Sequence, residues 1–188
     1  MTEQFEHGCA LLIGVDENHL DGWALPDVAK DVTALREVLV HPERCAYPAD
    51  QVKVLTGKEA TRTGILDGLD WLGERIEALG RENATAVVYF TGHGWRSPSA
   101  GEQGFYLLPY DLREGQIELR GLRAADFAGA VDALRPRRLL VVLDCCHAGG
   151  MGVKGSAGGG TAIPPSLLAK GIGPVSYTHL TLPTKRIV

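Results

Sequence analysis

At 188 residues, with 45% hydrophobic and 22% charged residues, the chain has the composition of one globular domain large enough to bury a core. A net charge of −4 gives no reason to expect nucleic acid or an anionic membrane as partner. No apolar run approaches the ~18 residues of a membrane span, and the start, Met-Thr-Glu-Gln-Phe-Glu, is not a signal peptide. Four cysteines, two of them adjacent, make no disulfide framework, so a reducing cytoplasm is the expected compartment.

In chain order, Cys9 to Val15 reads as a buried strand, followed by a polar loop, Asp16 to Ala24, that holds Trp23. Pro26 suits a first helical turn, and Val28, Val32, Leu35, Val38 and Leu39 then recur at helical spacing. Val52 to Leu55 is a short strand. Thr61 or Thr63 can cap the next helix, whose apolar stripe is Ile65, Leu69, Leu72, Ile76 and Leu79. A third strand ends at His93, and Gly104 to Asp111 reads as a short strand or hairpin arm. Leu122 to Leu134 is a third helix, stopped before Pro136, and the aliphatic run Leu139 to Leu143 carries a fourth strand to Cys146. Strands alternating with helices predict an α/β fold, a mainly parallel sheet with helices on both faces. Both His93 and Cys146 then leave the same carboxyl edge, where open α/β sheets build their sites.

After Gly149 the composition turns glycine-rich, and residues 151–174 read as a loop and the start of a further part. Val175 to Thr184 matches, residue for residue, the conceptual translation of a transposase sequencing adapter. Residues 175–188 are therefore set aside from fold reasoning, and the chain is taken as C-terminally truncated.

Two short motifs carry the chemistry. Thr91-Gly92-His93-Gly94 ends one apolar strand, and Asp144-Cys145-Cys146-His147-Ala148-Gly149 ends another. A thiol attacks as its thiolate, and an imidazole nearby can take its proton. Glycines on both sides of His93 let a ligand approach the backbone closely. Alternation along a strand sets Cys145 and Cys146 on opposite faces and Asp144 on the same side as Cys146. The same alternation disfavours a Cys-Cys-His metal cluster, and no zinc-type cysteine spacing is present, so no metal is expected.

The two motifs, with the histidine roughly 50 residues before the cysteine, resemble the caspase and metacaspase superfamily of cysteine peptidases. The bacterial caspase-like and metacaspase-like branch is the nearer one, and the resemblance covers about Cys9 to Gly150. It implies a caspase-like three-layer sandwich, incomplete at the C-terminus, with residues 8–150 as the catalytic domain. It implies Cys146 as nucleophile, third in Asp-x-Cys-His-x-Gly, which leaves Cys145 as packing. His93 is then the acid and base, the amides of Gly94 and Cys146 form the oxyanion hole, and the mechanism is a dyad with no third member visible. Metacaspase-like enzymes cut after Arg or Lys, which assigns Asp144 and Asp31 to the primary pocket. At Asp31 the family's Leu-x-Gly-Cys-x-Asn-Asp-Val is changed, since Asp27-Val28 replaces Gly-Cys.

The expected function is a caspase-like cysteine endopeptidase acting on a peptide or protein substrate with no cofactor. Many relatives need Ca²⁺, but its ligands are not identifiable in this sequence. Lys154 and Lys170 are candidate self-processing sites. Two other readings are a catalytically silent caspase-fold interaction module and a thiol hydrolase of non-peptide amides or esters on the same scaffold.

Overall fold

The structure, a computed structural model, describes residues 4–20, 22–97 and 104–147, with Cys146 and His147 described by their backbone. Strand β1 (Gly8–Gly14) is buried along its whole length, as its unbroken apolar run requires of an inner strand. It pairs in parallel with β2 (Val52–Thr56) on one side and with β3 (Thr85–Arg96) on the other. The last strand, β6 (Arg138–His147), runs parallel to β3, from Thr85 opposite Arg138 to Gly94 opposite His147. Two short strands, β4 (Phe105–Leu107) and β5 (Leu122–Arg123), add antiparallel pairs, β4 to the end of β3 and β5 to β4. The predicted parallel sheet is therefore present, with an antiparallel corner at the end of β3.

Helices cover both faces, as expected. Helix α1 (Val28–Val40) packs Val32 and Leu39 onto Ala10, Leu12, Val87 and Tyr89. Helices α2 (Arg62–Leu79) and α4 (Ala124–Leu134) cover the opposite face, over Leu11, Ile13, Val88 and Phe90. The alternation Ala86, Val88, Phe90 against Val87, Tyr89 shows β3 buried on both sides. Burial of each large aliphatic contributes about 1.5–3 kcal/mol, so these two layers hold the sheet edge in place. Thr61 caps α2: its hydroxyl accepts the Gly64 amide at 2.9 Å. Among the described residues, no helix is long and apolar enough to cross a membrane.

The elements depart from the sequence expectation in small ways: α1 begins at Val28, leaving Pro26 outside the helix, and the other differences lie near the antiparallel corner. The strand expected to stop at His93 continues to Arg96, because β4 gives Gly94, Trp95 and Arg96 new partners. The helix expected from Leu122 starts at Ala124, because Leu122 and Arg123 are taken into the sheet as β5. A four-residue helix, α3 (Ile117–Arg120), precedes β5 and was not foreseen, being too short for any periodicity to register. A third apolar cluster forms here: Tyr106, Leu108 and Leu112 are buried, with Leu20, Trp23, Trp95 and Ile117 half-buried around them.

Candidate active site

The site begins with the register of β3 on β6, which makes His93 and Cys146 direct partners. Neighbouring strands lie about 4.8 Å apart, so the two backbones are adjacent at the carboxyl edge. Thr91 is the partner of Asp144 and Gly92 of Cys145. Cys145 packs against the cluster under α2 and α4, on the Gly94 side of the sheet: its Sγ lies 3.5 Å from where a Cβ on Gly94 would stand. Alternation then puts position 146 on the opposite face, with Thr91 and His93. Cys145 is thus core packing, as the sequence implied.

His93 is half-buried on this inner strand, three residues before its end. Its Nε2 lies 2.8 Å from the main-chain oxygen of Trp23. A carbonyl only accepts, so Nε2 donates, and a neutral imidazole in this arrangement keeps its lone pair on Nδ1. The Trp23 indole adds an edge contact, with ring centroids 5.0 Å apart at 66°. The loop presenting Trp23 is tied at several points. The Val15 amide donates to the Thr91 carbonyl at 2.9 Å, Leu25 to the Asp16 carbonyl at 2.6 Å and Trp23 to the Leu20 carbonyl at 3.3 Å. A main-chain acceptor leaves no signature in a sequence, which is why this partner of His93 was invisible there.

The Gly94 peptide also has a defined direction. The Leu108 amide donates to the His93 carbonyl at 3.0 Å, so His93 turns its peptide groups toward β4. Successive residues of a strand point these groups to alternate sides, so Gly94 turns its amide toward β6 and the Cys146 position. A side chain here would clash, since a Cβ would stand 2.6 Å from Phe105 Cζ.

The two carboxylates nominated for the substrate pocket lie on different elements, Asp31 in the first turn of α1 and Asp144 near the end of β6. Both side chains are exposed, and both act on one phenol. Burial lifts the Tyr89 pKa above its usual 10.0; a hydrogen bond with Thr91 opposes the rise, and the charges of Asp144 and Asp31 add to it. The two acids thus lie near enough to Tyr89 for their charges to be felt there. At the position that departs from the family pattern, Val28 is buried, and it and Val32 would meet any side chain on Gly14. Asp27 is fully exposed and paired with Lys30 at 2.8 Å, which holds its carboxyl below the usual range.

The remaining cysteines do other things. Burial pushes the Cys9 thiol up to about 11, the opposite of what a nucleophile needs, and its Sγ faces the Thr85 carbonyl at 3.9 Å. Cys45 lies in a half-buried position away from this edge, packed with the α1 cluster. No set of three or more His, Cys, Asp or Glu among the described residues is arranged to hold a metal ion. Lys154, Lys170, the glycine-rich stretch and residues 175–188 lie outside the described residues.

The parallel sheet thus brings a histidine and a cysteine to its carboxyl edge on neighbouring strands. The family model described as Caspase domain matches residues 7–179, and the chain belongs to that family. No match was found among curated proteins.

Proposed function

We propose that the protein is an endopeptidase that cleaves after Arg or Lys through a dyad of Cys146 and His93. The observation that carries this reading is the register of β6 on β3, which makes the two residues partners at the sheet edge. His93 Nδ1 takes the thiol proton, and the Cys146 sulfur forms a bond to the scissile carbonyl carbon. The oxygen gains the electron pair, and the amides of Gly94 and Cys146 stabilise it. Collapse of the intermediate breaks the carbon–nitrogen bond as the imidazolium returns its proton to the departing amine. Water, deprotonated by the same imidazole, then releases the acyl group as a carboxylic acid and restores the thiol. The Trp23 carbonyl supports His93 throughout by fixing the ring and its tautomer.

Asp31 and Asp144 support basic specificity: both are exposed carboxylates whose charges are felt at Tyr89, and a carboxylate suits a guanidinium or an ammonium. The cytoplasm is the proposed compartment, from cysteine usage alone.

The test uses fluorogenic peptides ending in Arg, Lys or Asp, with and without Ca²⁺, with Cys146→Ala as control. Cleavage after Arg or Lys that is lost in Cys146→Ala is the expected result. Cleavage after Asp keeps the nucleophile and overturns the pocket. Folded protein that cleaves none of them, and small acyl esters no better, is an interaction module instead.

A further inference from the structure

Beyond the dyad and its acidic pocket, the third apolar cluster has a feature that core packing does not use up. Its floor, Tyr106, Leu108 and Leu112, is buried, yet the indoles of Trp23 and Trp95 remain half-exposed above it. Trp95 follows His93 by two residues on β3, so the two share a face. It stands opposite Tyr106 of β4, with ring centroids 5.8 Å apart. Trp23 touches both ends of this arrangement, joining the cluster and placing its indole edge against the His93 ring.

This surface lies on a defined side of His93. Gly94 is flanked by His147 of β6 and by Leu107 of β4, so those two strands lie on opposite sides of β3. The nucleophile position and Asp144 are on the β6 side, and the aromatic wall is on the β4 side. In peptide hydrolysis the acyl part stays with the thiol, while the leaving nitrogen must reach the imidazole that protonates it. The residue carrying that nitrogen is the one that follows the scissile bond.

We infer that Trp23 and Trp95 form a subsite for the residue immediately after the scissile bond, and that it selects a large apolar side chain there. The inference rests on the peptidase reading above and adds a second specificity determinant to it. The substrate class becomes a basic residue followed by an aromatic or branched aliphatic one. Two partly exposed indoles packed on one buried floor are the kind of rigid apolar surface that holds such a side chain.

The experiment uses internally quenched peptides that are identical except after the Arg, where Gly, Ser, Leu, Phe or Trp is placed. Burying a large apolar side chain gives an expected kcat/KM at least about tenfold higher for Phe and Leu than for Gly. In Trp95→Ala that ratio collapses toward unity, and Trp95→Leu, which keeps the site apolar, retains part of it for Leu. Equal rates across the wild-type series overturn the inference, as does a ratio unchanged in both variants. If Trp95→Ala does not fold, the wild-type series and Trp95→Leu still decide. The two readings fail differently. Cleavage without preference after the Arg sinks the subsite alone, whereas folded protein that cuts no member of the series sinks the peptidase and the subsite together.

Discussion

The main-chain oxygen of Trp23 accepts a hydrogen bond from His93 Nε2 at 2.8 Å. A loop of the first βα connection thereby sets the tautomer of a histidine three residues before the end of β3. Because the acceptor is backbone, it survives side-chain substitution. Trp23→Ala keeps the carbonyl and loses only the ring contact, worth about 0.5–1.5 kcal/mol. The expected fall in kcat/KM is about 2- to 12-fold, measured on a substrate with Gly after the scissile bond. His93→Ala removes the acid and base itself, with an expected fall of about 10²- to 10⁴-fold. Equal losses in the two variants would show that the Trp23 ring, not the carbonyl, holds the imidazole.

Asp31 and Asp144 lie on different elements with their charges felt at Tyr89, and each is expected to contribute a charge-assisted hydrogen bond to a basic substrate. Asp31→Asn and Asp144→Asn should each lower kcat/KM on Arg substrates by about 10- to 150-fold, matching about 1.5–3 kcal/mol per bond. A second readout needs no substrate. Removing either negative charge should lower the Tyr89 pKa, while burial keeps it above its usual 10.0. Tyrosine ring NMR across an alkaline titration checks this, and a pKa unmoved in both variants would separate the two acids from this spot.

Thr61→Ala and Gly94→Ala make a contrasting pair. The first removes a helix cap and nothing near the site, so unfolding free energy should drop by about 1 kcal/mol with activity kept. The second forces a methyl against Phe105, where a Cβ would stand 2.6 Å from Cζ. It should cost about 1–3 kcal/mol and also shift the peptide that faces β6, lowering kcat. Urea melts and steady-state kinetics on both variants separate the two effects. A Gly94→Ala enzyme with unchanged kcat would argue against Gly94 as an oxyanion donor.

Alkaline pH should weaken the fold through Cys9. Its thiol titrates near 11 in the folded chain against an ordinary 9.0, so the folded state holds the proton more tightly than the unfolded one. That contribution is complete below pH 9.0 and is lost as pH rises through about 11. Burial, the first cause, also raises Tyr47 to about 12, which extends the loss upward from its ordinary 10.0. Stability measured from pH 8 to 11 should therefore fall less steeply in Cys9→Ala than in the wild type, even though Cys9→Ala starts lower. Parallel slopes would place the alkaline loss elsewhere.

The sequence alone determined the elements whose burial is one-dimensional. The stripe from Ile65 to Ile76 has to be a helix against a sheet, whereas the aliphatic run Leu139 to Leu143 made a strand legible but misplaced it as an inner one: among the described residues β6 pairs with β3 alone, and Leu140 is exposed. The order of strands and helices determined the parallel core, since crossovers of that kind close in one way. The His-Gly and Cys-His motifs stood at strand ends, so the sheet edge was legible too. What only the tertiary structure decided were relationships that no side-chain pattern encodes. The Trp23 carbonyl is a peptide group, identical at every residue, and only a loop tied to Thr91 through Val15 delivers it to His93. The short strand expected within Gly104 to Asp111 is present as β4, but that it pairs with the end of β3 and so extends it to Arg96 was decided by the tertiary structure. The placing of Asp31 on the Tyr89 face of the sheet depends on how α1 lies across it, which is set by Val32 and Leu39 packing on β1 and β3 rather than by any residue of the site.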